Sequence, residues 1–128
     1  MSRRDAREVA FKLAFEFAFN NRENREEFEE YTAGMTADDK AYVSEVYFGI
    51  TSHYDELQEK ISSVVEKFAY DRLFKVDQAI LLLAVYEIVF IESIPYKVSV
   101  DEALNLAEKY STSKSVKYIN GVLSKFAR

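Results

Sequence analysis

The residues with chemistry to offer in this 128-residue chain are cations and aromatic rings gathered at its two ends. Arg3, Arg4 and Arg7 open the sequence, and Lys117 and Tyr118 stand near its close beside Lys114, Gly121 and Lys125. Single-stranded RNA is held by basic side chains along its backbone and by rings on which bases stack. Gly121 follows Tyr118 by about one helical turn and leaves room for a base or sugar to approach. Ser113 and Ser115 fall where the start of a helix would present free amide groups to a phosphate. Packing at the edge of an amphipathic stripe accounts for a tyrosine such as Tyr118 equally well.

Catalysis has far less to work with. There is no cysteine, His53 is the only histidine, and neither a Gly-rich phosphate loop nor an H-E-x-x-H pattern occurs. No nucleophile with its base and no metal-ligand set is indicated, so the chain is expected to be no enzyme, to hold no metal and to need no cofactor. Glu26, Glu27, Glu29 and Glu30 spread around a helix instead of converging, which suits a solvated face better than a cation site. The missing cysteines exclude a disulfide framework and fit a reducing cytoplasm. No continuous apolar segment stands behind the first arginines, so a secretory leader is not expected.

The formal net charge of −5 argues against a nucleic-acid partner only until its distribution is considered. In residues 1–12, Arg3, Arg4, Arg7 and Lys12 outnumber Asp5 and Glu8; residues 109–128 carry Lys109, Lys114, Lys117, Lys125 and Arg128 with no acid. The acid excess therefore lies in the middle of the chain. If the two basic ends meet in space, they make one basic patch on an acidic protein.

The elements that must position these groups read as helices, since three glycines and one proline leave little punctuation for hairpins. Ser2 and Asp5 form a capping box for a first helix running to about Phe19. Ala6, Val9, Ala10, Leu13 and Phe17 form its core stripe, while Arg4, Arg7, Phe11 and Phe15 fall on the other side, to be covered by another helix or offered to a partner. A short helix capped at Asn24 turns Phe28 and Tyr31 inward and ends at Gly34; Thr36 with Asp39 caps a third, with Tyr42, Val43, Val46, Tyr47 and Ile50 inward and His53 as a surface or capping residue at its end. A fourth continues through Leu57, Ile61, Val64, Val65 and Phe68.

Residues 76–94 organise the rest. Within them, residues 79–91 contain a single charge, Glu87, which predicts a central helix buried on all sides. The apolar run is too short for a bilayer, which takes about 20 residues, so no membrane is expected. Tyr86 and Glu87 are its candidates for a polar contact. Pro95 marks a rigid turn, Ser99 with Glu102 reads as a box opening the next helix, and residues 111–115 interrupt it before a last helix begins near Ser115. That last helix buries Val116, Ile119, Val122, Leu123 and Phe126 and turns Lys117, Tyr118, Gly121 and Lys125 away from the core. The expectation is an all-α chain of six or seven short helices forming one domain over residues 1–128.

Several of these segments have a further property in common. Arg3-Arg4 and Ala6-Arg7-Glu8, then Val76-Asp77-Gln78-Ala79-Ile80-Leu81 with Tyr86-Glu87, then Ile94-Pro95-Tyr96-Lys97-Val98, Asp101-Glu102-Ala103 and Tyr118-Ile119-Asn120-Gly121-Val122-Leu123 resemble, in order and spacing, the NusB family of transcription antitermination factors. The resemblance implies two perpendicular helical bundles around the buried central helix. It also implies a non-catalytic adaptor that binds boxA-type single-stranded RNA together with NusE, a ribosomal protein that doubles as a transcription factor. Such a complex helps RNA polymerase pass terminators during ribosomal RNA synthesis. By the same resemblance Arg3, Arg4, Arg7, Lys117 and Tyr118 meet the RNA, and Phe15 and Asp77 meet the protein partner.

Two positions depart from the family pattern. Lys114 stands where members often carry an acid, and Ser111 where glycine is common after the aromatic Tyr110. Lys114 adds non-specific phosphate attraction and removes an acceptor for a base. Two other readings remain open here. One is a protein-only scaffold or homodimer that has lost RNA recognition. The other is an accessory module for ribosomal RNA processing, because similar domains precede the methyltransferase part of ribosomal RNA cytosine methyltransferases; without a cofactor-binding segment the chain is not expected to be that enzyme itself.

Overall fold

The computed structural model describes residues 2–65 and 70–128. Among them are seven α-helices and no strand: α1 (Arg3–Asn20), α2 (Arg25–Thr32), α3 (Ala37–Ser52), α4 (Tyr54–Ser62), α5 (Lys75–Phe90), α6 (Tyr96–Tyr110) and α7 (Ser113–Ser124), with one 3-10 turn at Tyr70–Arg72. None is long and apolar enough to cross a membrane.

Local chemistry explains most of the helix ends. The Ser2 hydroxyl accepts the Asp5 N–H, and the Asp5 carboxylate accepts the Ser2 N–H at 3.0 Å, closing the expected box. Asn24 and Thr36 cap α2 and α3 through their side-chain oxygens. Asn21 ends α1 with φ at 55°, a left-handed conformation that asparagine tolerates better than most residues.

Four expected boundaries fall elsewhere. Gly34 does not stop α2, which ends at Thr32 with Ala33 still right-handed. Helix α4 ends at Ser62, so Val64 and Val65 lie beyond it, and Phe68 falls outside the described residues. The Ser99–Glu102 pair is no cap: α6 starts earlier, at Tyr96 behind Pro95, because proline's fixed φ and missing N–H suit the entry to a helix. Helix α7 starts at Ser113, since Thr112 accepts the Ser115 N–H at 3.0 Å.

Helix α5 is the axis of the molecule. Every residue from Asp77 to Ile88 is buried, and α1, α3, α4, α6 and α7 all pack against it. Gly49 on α3 is what lets the Tyr86 ring approach that helix so closely, because a β-carbon there would stand 2.3 Å from the ring. Helix α1 runs antiparallel to α5: Arg7 meets Glu87 in the last turns of α5, whereas Phe11 packs against Tyr110, whose neighbour Ser111 hydrogen bonds Asp77 in its first turn. The two phenylalanines off the main stripe of α1 divide. Phe11 is buried under Tyr110, with ring centres 5.0 Å apart, while Phe15 is half-buried and meets edge-on the ring of Phe19, which is 62% exposed.

Candidate nucleic-acid interface

The arginines that open the chain are held by three different helices. Arg3 reaches α3, with Nε 3.0 Å from Asp39 and Nη2 3.0 Å from Asp38, its guanidinium lying over the Tyr42 ring. Arg4 grips the Glu102 carboxylate of α6 with Nε and Nη2 at 3.0–3.2 Å. Both pairs keep solvent access, the Arg4 side chain remaining 69% exposed. Exposed pairs of this kind contribute about 0–1 kcal/mol, so a phosphate can take the carboxylate's place.

Arg7 is different in kind. It is 7% exposed, and its Nε donates to Glu87 Oε2 at 2.9 Å. The Tyr42 hydroxyl donates to the same oxygen, and Ser99 Oγ donates to Oε1 at 2.8 Å. One buried carboxylate thus ties α1, α3, α5 and α6. Burial alone lowers the Arg7 pKa, and the hydrogen bond and charge of Glu87 more than restore it. Burial, then Glu87, pushes the Tyr42 phenol far above its ordinary value and keeps it a donor.

The other end of the chain is organised around α7. Lys114, Lys117 and Lys125 are exposed there and form no ion pair among the described residues. Tyr118 between them is half-buried, its hydroxyl enclosed without a hydrogen-bond partner; burial and then the charge of Asp77 raise its pKa. Asp77 itself is buried, accepting Ser111 Oγ and Ser115 Oγ at 2.7 Å each.

The two basic ends meet in part: Lys109 pairs with Glu8 on α1, and Arg128 donates to the Ile88 carbonyl beside Glu87. Arg7 pairs with Glu87 in the last turns of α5, whereas Ser115 at the start of α7 reaches Asp77 in its first turn, about 15 Å away along that helix at 1.5 Å per residue. Between them lies Lys109, exposed and paired with Glu8 at 2.9 Å, a residue whose place is invisible in its spacing because α1 and α6 are brought side by side by the fold. Phe15 and Phe19 lie toward the far end of α1, Phe15 beside Phe11, which packs on Tyr110, whereas Asp77 faces α7. No cluster of His, Asp or Glu suited to a metal ion is present among the described residues.

The family model described as NusB family matches residues 4–128. The transcription antitermination protein NusB of Clostridium novyi (strain NT) is 42% identical over 127 residues, covering 96% of this chain and 96% of that protein. The NusB of Natranaerobius thermophilus is 41% identical over 132 residues, covering 99% and 95%. The structure of T. maritima NusB superposes with a TM-score of 0.92 at 32% identity, over 99% of this chain and 91% of that one. A chain from the crystal structure of antitermination factors NusB and NusE in complex with dsRNA superposes with a TM-score of 0.87 at 26% identity, over 97% and 94%.

Proposed function

The chain belongs to the NusB family, and from that premise we propose that it is a non-catalytic adaptor of transcription antitermination that binds boxA-type RNA together with NusE. The observation that carries the reading is the row of exposed, uncompensated lysines on α7 beside the half-buried ring of Tyr118, on a backbone that follows that of NusB solved with NusE and RNA. Residues 1–128 act as one unit, in the cytoplasm, within an RNA polymerase antitermination complex. Lys114 and Lys117 attract phosphates and Tyr118 offers the exposed part of its ring to a base. Arg3 and Arg4 join them by exchanging Asp38, Asp39 and Glu102 for phosphate, as guanidinium forks accept either anion. Arg7 supports the RNA face by anchoring the start of α1 through Glu87. Phe15, with Phe19 beyond it, receives NusE.

Fluorescence anisotropy of a labelled boxA RNA against a scrambled one, with and without NusE, tests this. Tighter binding to boxA that improves with NusE is expected. With Arg3, Arg4, Lys114 and Lys117 on phosphates, the logarithm of affinity should fall against the logarithm of salt with a slope of about −2.8, at about 0.7 per contact on a single strand. Equal binding to both RNAs, or none with NusE present, would remove the adaptor reading.

A further inference from the structure

We infer that Asp77 is a positioning residue for RNA recognition, its buried carboxylate holding the α6–α7 turn so that Lys114 and Lys117 are aimed outward from α7 with the exposed part of the Tyr118 ring beside them. The inference rests on the RNA-binding reading above and gives Asp77 a role other than touching the protein partner. At 4% exposure its side chain offers a partner almost nothing. Both carboxylate oxygens are taken by the turn: Oδ1 accepts Ser111 Oγ from the end of α6, and Oδ2 accepts Ser115 Oγ from the first turn of α7, each at 2.7 Å. Thr112 completes the arrangement, accepting the Ser115 N–H at 3.0 Å while its own hydroxyl donates to Ser115 Oγ at 3.1 Å.

A helix is rigid over its first turn, so pinning Ser115, with Ser111 pinned just before the helix, sets the rotation of α7 about its axis. One residue of rotation is about 100°, enough to carry Lys117 and Tyr118 off the face they share with Lys114. Asp77 has no cation partner among the described residues; its donors are neutral hydroxyls, and they come only from this turn. The unpartnered Tyr118 hydroxyl, one turn beyond Ser115, feels the same carboxylate. Ser111 is thereby the second arm of the clamp.

The test uses the full chain with Asp77→Asn, Asp77→Ala and the double variant Ser111→Ala/Ser115→Ala, measured against boxA RNA, scrambled RNA and NusE separately. Asp77→Ala should lower boxA affinity about tenfold, the size of one lost charge-assisted hydrogen bond. It should also narrow the preference for boxA over scrambled RNA. The salt slope and the affinity for NusE should stay, because the lysines remain charged and Phe15 is untouched. Asp77→Asn, with the same shape and one remaining acceptor, should recover part of the preference. The double serine variant should reproduce Asp77→Ala with the carboxylate in place, which keeps the inference testable if Asp77→Ala fails to fold. Unchanged boxA preference in the serine variant overturns the inference, as does loss of NusE binding with RNA binding intact in Asp77→Ala. A wild-type chain that does not distinguish boxA from scrambled RNA sinks the RNA reading, and this inference with it.

Discussion

The start of α1 and the exposed face of α7 are both basic in sequence, and the fold treats them in opposite ways. Each arginine of the first group meets a carboxylate far along the chain: Arg3 at Asp38 and Asp39, Arg4 at Glu102, Arg7 at Glu87. The lysines at 114, 117 and 125 meet none among the described residues. A cation that an internal anion has claimed must first exchange that partner before it can bind another, and the guanidinium, with its planar fork and weak hydration, is the more easily claimed. The contrast also separates two sorts of arginine. Arg4 is claimed at the surface, where exchange is cheap; Arg7 is claimed in the interior, where it is not.

The sharpest way to break this comparison is at Arg7. Arg7→Ala leaves Glu87 buried without its cation and should cost about 3–5 kcal/mol in chemical denaturation, the usual penalty for halving a buried pair. If Arg7→Ala melted like the wild type while losing RNA, Arg7 would be a direct contact and the division between the arginines would collapse. Lys117→Ala should do the converse, leaving the melting curve unchanged, weakening all RNAs alike and reducing the magnitude of the salt slope by about 0.7. Sequence-dependent weakening would instead make Lys117 a base-reading group. Glu102→Gln releases Arg4 and should tighten RNA binding by up to about fivefold at low salt, within the range of one exposed ion pair. A fall in affinity would show that Glu102 orients Arg4 for RNA instead of competing with it.

The smallest expected effect concerns Glu8, between the two basic groups. The Tyr110 hydroxyl, then Lys109, holds its carboxyl below the ordinary glutamate value in the folded protein. The unfolded chain therefore takes up the proton first as pH falls, so this contribution is present above the ordinary glutamate range and is lost as pH drops through the folded value. In Glu8→Gln the acid limb of the stability profile should be slightly flatter in thermal melts between neutrality and acid; an unchanged limb would mean that the pair stabilises nothing.

Much of the fold was legible because its signals are local. The near absence of charge in residues 79–91 announced a buried helix, and Ser2, Asn24 and Thr36 announced helix starts by side-chain geometry within one turn. The Ser99–Glu102 spacing carried the same signature and misled, because Ser99 gives its hydroxyl to Glu87 across the core and the proline before it sets the helix start. At the candidate interface, residue types and spacing named the cations and Tyr118 but could not show the lock on Arg7, the place of Lys109 or the hydrogen bonds that hold Asp77.

What the sequence determined by itself was therefore the set of helices, the buried central one above all, the absence of thiolate chemistry, and the presence of basic groups at both ends. Only the tertiary structure decided which of those groups is free. Periodicity and capping act within a few residues, and the chain carries them wherever it goes. Charge pairing acts between residues brought together by packing, as with Arg7 and Glu87, 80 positions apart, or Arg4 and Glu102, 98 apart. Whether a cation faces carboxylate or solvent is settled when α1 lies down against α5 and α6, and nothing in its own neighbourhood of sequence records the answer.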